Sequence, residues 1–189
     1  MGRAVTIKNT TDSWGAIAKS FHWVIALLIL GQLALGTIAE GYRLSPLKLD
    51  LFVWHKSIGV TVLLLVILRA LWRLNNPPPR PPDGIPGWET TAARIGHALL
   101  YLLMFAVPLT GWWVSDSTRI PFKAFWLVPM PDLIAANRDM SDLAADVHGV
   151  LTKLLLLVVV IHIAAALRHH FFLHNRILSR MLPWRGEPH

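Results

Sequence analysis

The sequence predicts an all-α membrane protein, a bundle of four transmembrane helices, and three observations predict it. Mean hydropathy is +0.48 and only 15% of residues are charged, well below the roughly one quarter usual in soluble domains. Four apolar stretches approach or exceed the ~20 residues that cross hydrocarbon as helix. Most prolines and most charges fall between or beside those stretches. Residues 1–189 read as one membrane domain, with no room for a second large soluble one.

The first span runs from about Phe21 to Ala39. Thr37-Ile38-Ala39 loosely resembles a signal cleavage site, but the apolar core is longer than a signal h-region and carries His22 and Trp23 near its start. It reads as a retained span. The second runs from about Phe52 to Trp72, the third from about Gly96 to Val114 and the fourth from about Val147 to Leu167. Between spans two and three, Asn75 to Pro82 is too rich in proline to continue a helix and reads as a stiff linker. Residues 115–146 form the longest segment outside the spans. A short amphipathic helix around Ser141–Val147, capped by Ser141 or Asp142, is expected to lead into span four. Pro108 predicts a kink in span three and carries no chemistry.

The formal charge of +7 does not point to nucleic acid, because the basic residues flank apolar spans instead of forming one patch. Arg3, Lys8, Lys19, Arg73, Arg80, Arg94, Arg168, Arg176, Arg180 and Arg185 fall on one side of a four-span topology. Arg43, Lys48, Arg119, Lys123 and Arg138 fall on the other, with Lys56 and Lys153 just inside helix ends. That bias places both termini in the cytoplasm. Trp23, Trp54, Trp72, Trp112 and Trp113 sit near span ends, as interface anchors do.

Cysteine is absent, which excludes disulfides, iron–sulfur clusters, thiol catalysis and haem attached through Cys-x-x-Cys-His. Histidine carries the chemistry instead. His22, His55, His148 and His162 lie in or at the edge of apolar spans, where an unpaired imidazole is costly. His148 and His162 are fourteen residues apart on one span. At about 100° per residue, fourteen steps return to within roughly 40° of the start after a rise of about 21 Å. The same step links His22 to Gly36, His55 to Arg69 and His97 to Gly111. With both termini inside, His22 and His162 share the cytoplasmic depth, and His55 and His148 share the outer depth. Two b-type haems, one per leaflet, each held by one of these pairs, satisfy all four. Two imidazoles close the iron sphere and favour electron transfer over dioxygen binding.

Other residues admit two readings each. Gly59, Gly36 and Gly111 either let a porphyrin approach or allow close helix packing. Arg69, with Arg73 one turn on, either meets a haem propionate or snorkels to the interface. His97 is expected to hydrogen-bond a propionate or a quinone. His169 and His170 either contact a quinone headgroup and supply protons or form a basic helix end. His174 and His189 read as solvated tail residues.

Several motifs together resemble the bacterial cytochrome b561 family. They are Lys19-Ser20-Phe21-His22-Trp23, His55-Lys56-Ser57-Ile58-Gly59, Arg69-Ala70-Leu71-Trp72-Arg73 and Gly96-His97-Ala98-Leu99-Leu100-Tyr101. Pro108-Leu109-Thr110-Gly111, His148-Gly149, the run His162 to His170 and the closing Arg180-Met181-Leu182-Pro183 complete the set. The resemblance covers about residues 13 to 184. It implies a four-helix bundle of the bacterial inner membrane with two haems b on the four histidines, and a ubiquinone site near the cytoplasmic haem with His169 in it. One characterised member of the family is a superoxide oxidase, which takes electrons from superoxide at the periplasmic face and reduces ubiquinone. Others are encoded beside small periplasmic lipid-binding proteins, and the long outer loop here is closer to that subgroup. Two functions therefore stand: transmembrane electron transfer from superoxide or another periplasmic donor to quinone, or an electron-carrying subunit that docks a dehydrogenase or periplasmic lipid-binding partner through residues 115–146. A histidine-lined proton or metal transporter without haem is a third, disfavoured by the ligand spacing.

Overall fold

The computed structural model describes residues 6–118, 122–132 and 138–182. Arg3, Arg119, Pro121, Arg185 and His189 lie outside them. The elements in order are α1 (Ala16–Gly41), α2 (Pro46–Asn75), α3 (Gly87–Ser117), β1 (Lys123–Ala124), β2 (Val128–Pro129), α4 (Arg138–Phe171) and α5 (Ile177–Met181). Four of these helices are long and apolar enough to cross a membrane: α1, α2, α3 and the Met140–Phe171 part of α4. Large apolar side chains point outward along all four. Leu27 is 67% exposed, Leu64 56%, Leu102 62% and Ile161 57%. No water-soluble protein tolerates such a continuous apolar girdle, whereas lipid demands it.

α1 packs on α2, α2 on α3 and α3 on α4, while α4 has little direct packing against α1 or α2. The bundle is therefore open along the lines that join α4 to α1 and to α2. What closes it at mid-depth is one cluster: Ile25 and Ile29 of α1, Val62 and Val66 of α2, Leu103 and Met104 of α3, and Leu155 of α4. Leu155 lies midway between His148 and His162 in sequence, so this core separates two polar layers.

Helix boundaries follow local chemistry. The Ser45 hydroxyl accepts from the Lys48 N–H at 3.3 Å, and Pro46 opens α2 where no amide hydrogen is needed. Lys48 Nζ donates to the Glu40 and Tyr42 carbonyls at 3.2 and 2.7 Å, closing the C-terminus of α1. α1 lacks a side-chain cap. The preceding segment supplies one: the Ala16 N–H donates to the Thr6 carbonyl at 2.8 Å, and the Gly15 N–H to Asn9 Oδ1 at 2.9 Å. A Cβ at Gly15 would collide with the backbone of Ile7 and Lys8 that crosses it.

The proline loop does more than link. Asn9 Nδ2 donates to the Asn76 and Pro77 carbonyls, the Arg80 N–H donates to the Thr11 carbonyl, and Arg180 donates to the carbonyls of Arg80 and Asp12. Trp23 Nε1 donates to the Met181 carbonyl at 2.9 Å. The segment before α1, the proline loop and α5 thus form one plate across the end of the bundle where residues 6 and 182 lie, here called the terminal end.

Two expectations change at the opposite end. The amphipathic helix at Ser141–Val147 is not a separate element, and neither Ser141 nor Asp142 is a cap. α4 runs unbroken from Arg138 to Phe171, because nothing between the polar first turns and the apolar span interrupts the helix. Within the loop, a two-stranded hairpin pairs Lys123 with Pro129 and Ala124 with Val128. Its turn places Phe125 and Trp126 at φ 51° and 61°, a left-handed conformation that costs bulky residues roughly 1–2 kcal/mol each. Trp54 holds both rings edge-on, at 5.7 and 5.4 Å. The Phe125 N–H donates to Ser57 Oγ at 2.7 Å, and that hydroxyl, fully buried, donates to the Val53 carbonyl. Ser57→Ala strands the Phe125 amide, at about 1–3 kcal/mol. The expected outcome is a hairpin that opens, read as faster protease cleavage within 122–129 while the four spans stay intact.

Candidate functional site

The hairpin end holds His55 on α2 and His148 on α4. Their ring centres are 6.4 Å apart and the planes nearly perpendicular. Two glycines make this possible. A Cβ on Gly36 of α1 would stand 2.9 Å from His55 Cε1, and one on Gly111 of α3 would stand 3.1 Å from His148 Cε1. Each glycine therefore seats a histidine ring. His148 Nδ1 donates to the Val107 carbonyl at 3.0 Å, with Thr110 Oγ1 at 3.2 Å. A carbonyl only accepts, so the proton sits on Nδ1 and the lone pair is left on Nε2. His55 is fixed through its backbone, where its carbonyl accepts from Gln32 Nε2 at 2.6 Å, while its Nδ1 is buried with no hydrogen-bond partner. Gly59 lies under Gln32 Nε2, 3.3 Å from where its Cβ would be, so it makes room for the glutamine.

The terminal end holds His22 on α1 and His162 on α4, with ring centres 6.2 Å apart. His97 on α3 stands 5.5 Å from His162. Arg69 Nη2 reaches His22 Nδ1 at 3.4 Å. The Arg69 and Arg73 guanidiniums lie over the Tyr101 ring at 5.5 and 5.6 Å, and the Tyr101 hydroxyl is buried without a partner. Among the described residues neither guanidinium has a carboxylate partner. Two cations and an orphaned phenol at one depth are a cradle for an anion.

A metal sits about 2.0–2.1 Å from an imidazole nitrogen and roughly 1 Å more from the ring centre, so two trans imidazoles on one ion hold their centres about 6 to 6.5 Å apart. Both pairs fall in that window. Among the described residues no cluster of three or more His, Asp or Glu is arranged to hold a bare metal ion. Paired imidazoles, an open bundle beside α4 and an anion cradle fit a metal porphyrin with two carboxylates.

Further along α4, His169 Nδ1 accepts from Asn175 Nδ2 at 2.7 Å, and its Nε2 stands 3.5 Å from Glu89 Oε2 of α3. Glu89 Oε1 accepts from Arg168 Nη1 at 3.0 Å. His170 packs edge-on against Phe171 and joins no polar group among the described residues.

Residues 13–184 match the family described as prokaryotic cytochrome b561. The chain belongs to that family. It is a multi-pass bacterial membrane cytochrome of the b type, and its work is electron transfer. The cytochrome is 32% identical to "Cytochrome b561 homolog 2" of Escherichia coli, over 94% of this chain and 95% of the relative. It is 31% identical to "Probable superoxide oxidase CybB" of Yersinia pestis, over 90% and 96%. "Cytochrome b561 homolog 1" of Escherichia coli matches at 27%, over 87% and 93%.

Gln32, Thr110, the Val107 carbonyl, Tyr101, Glu89 and Asn175 were not singled out by sequence reasoning. Thr110 and Tyr101 lay inside quoted motifs, but nothing in their spacing says which side chain they support. Glu89, in the first turn of a helix, reads as ordinary dipole complementation.

Proposed function

We propose that this cytochrome holds two haems b, His55 with His148 at the hairpin end and His22 with His162 at the terminal end, and carries electrons across the membrane to ubiquinone. The supporting observation is the pair of imidazole couples, 6.4 and 6.2 Å between ring centres, one at each end of an apolar core. When bound, haem supplies a one-electron carrier whose iron, closed on both sides by imidazole, favours electron transfer over dioxygen binding. The chain's own residues do the rest. Val107 and Thr110 set the His148 tautomer and ring angle. Arg69, Arg73 and Tyr101 hold propionate charge. His97 donates a hydrogen bond at the same depth. His169 binds the quinone.

Orientation is part of the proposal. Arg73, Arg80, Arg94, Arg168, Arg176 and Arg180 gather at the terminal end, which supports a cytoplasmic terminal end and a periplasmic hairpin end. Superoxide is the favoured periplasmic donor, by likeness to the Yersinia relative. Each superoxide gives up one electron and leaves as dioxygen, so the activity is that of a superoxide:ubiquinone oxidoreductase. Lys153 is exposed, while Lys56 donates to Ser115 Oγ at 3.0 Å and lies over the Phe122 ring. Both add positive potential near the outer couple. Changing both to glutamine is expected to slow superoxide oxidation and flatten its salt dependence. Unchanged rates at low salt would reject the steering role.

A second reading, an electron-carrying subunit that docks a periplasmic partner, is favoured by the hairpin tip, where Trp126, Leu127 and Val128 are exposed. The two readings separate in one assay. Purified cytochrome that reduces a soluble ubiquinone analogue with superoxide supports the first. Absence of that turnover, with a stable partner recovered only when the hairpin is intact, supports the second.

A further inference from the structure

We propose that Glu89 is the proton donor to the quinone at the terminal end, giving its proton to the quinone oxygen that His169 binds. The inference rests on the reading of that end as a quinone-reducing site.

The Glu89 side chain is 8% exposed, and its two oxygens have different fates. Oε1 is held by Arg168, whose side chain is 51% exposed and leads to water. Oε2 is buried and has no hydrogen-bond partner. His169 Nε2 is 3.5 Å away, which is too far for a good hydrogen bond. A buried carboxylate oxygen left this way is costly unless something else occupies the gap. Asn175 decides where protons sit. Its N–H occupies His169 Nδ1, so the ring hydrogen lies on Nε2 and points toward the gap. A proton carried on Oε2 would face the same gap. An oxygen entering the gap would then accept from His169 Nε2–H and from Glu89 Oε2–H together. A quinone carbonyl has the lone pairs for both.

The other charges that could interfere lie elsewhere. Among the described residues, Arg168 and His169 are the charged or titratable groups paired with Glu89, both from α4. α2, the other helix on α3, brings Arg69 and Arg73 to Tyr101, about three turns further along α3.

Reduction of one quinone to quinol consumes two electrons and two protons. The electrons come one at a time from a one-electron donor oxidised at the hairpin end. Glu89 gives one proton to the oxygen at His169 and is reloaded from water beside Arg168. The second oxygen takes its proton from water at the same membrane surface.

The test uses the full-length, haem-loaded cytochrome, reduced with dithionite and mixed with decylubiquinone in a stopped-flow instrument across pH 6 to 9. Ferricyanide, which takes electrons without protons, serves as the parallel oxidant. Glu89→Gln is expected to slow oxidation by decylubiquinone on the order of 100-fold, the lower range for a lost general acid. Its remaining rate should lose the pH dependence of the unsubstituted protein, and oxidation by ferricyanide should be unchanged. Arg168→Gln breaks the same interhelix contact but keeps the acid, so its pH dependence should persist. If Glu89→Gln loses haem, Glu89→Asp is read instead, with slower oxidation and retained pH dependence expected. A Gln variant with unaltered rate and pH profile overturns the proposal, as does an Asp variant with unaltered rate. An unsubstituted cytochrome that decylubiquinone cannot oxidise, while ferricyanide can, removes the quinone site itself.

Discussion

Replacing His148 with alanine is expected to reduce the haem content from two per chain to one, with the terminal-end haem retained. His148 is the better fixed member of the hairpin-end couple. Its Nδ1–H is committed to the Val107 carbonyl, so its Nε2 keeps the lone pair, with the two ring centres of the couple 6.4 Å apart. No third histidine stands near that couple among the described residues, so the loss has no substitute. The mid-depth core from Ile25 to Leu155 insulates the other end, and the remaining haem should keep its spectrum. The mirror variant, His22→Ala, should be milder. His97 already lies 5.5 Å from His162, so another imidazole is at hand and a shifted band is expected where a lost one would otherwise appear. Haem extraction and a reduced-minus-oxidised spectrum check both. Equal loss of both haems in His148→Ala would mean that the ends are not independent.

Gly111→Val and Gly36→Val should produce the same selective loss without touching a ligand. A Cβ at Gly111 comes within 3.1 Å of His148 Cε1, and one at Gly36 within 2.9 Å of His55 Cε1. The branched methyls of valine extend the clash, and each ring can yield only by turning. His148 is anchored to Val107. His55 is held at its backbone by Gln32. Rotating either ring would upset the arrangement the couple needs to share one iron. Each variant should therefore weaken or lose the hairpin-end haem, while Gly31→Val, where an added Cβ meets nothing within 4 Å, should keep both. Haem count and band position decide it. A fully loaded Gly111→Val protein would show that the glycine serves helix packing alone.

The four spans were legible because lipid imposes a simple rule: long apolar runs, with charge at the ends. The histidine couples were legible for a related reason. An imidazole in an apolar span is conspicuous, and fourteen residues of helix carry a side chain to the opposite depth on the same face. What surrounds those rings was not legible. Gly59 was grouped with Gly36 and Gly111 as room for a porphyrin or for close helix packing, yet it faces Gln32 and they face histidines, because position along one helix does not say which neighbour lies opposite. Pro108 was assigned no chemistry, but the carbonyl beside it, Val107, orients His148. The hairpin at Lys123–Pro129 was missed because its turn uses Phe125 and Trp126 in a conformation that sequence rules reserve for glycine or asparagine. Tertiary contacts with Trp54 and Ser57 decide that turn. The proline loop looked like a linker because its partners, Asn9 and Arg180, lie far away in sequence.

Two haems held by paired imidazoles fix both the iron content and the spin state of the purified protein. Haem extraction combined with low-temperature electron paramagnetic resonance should find two haems b per chain, both low-spin, as closure by two imidazoles requires. A colourless protein, a single haem per chain, or a high-spin signal from an open iron position would contradict it.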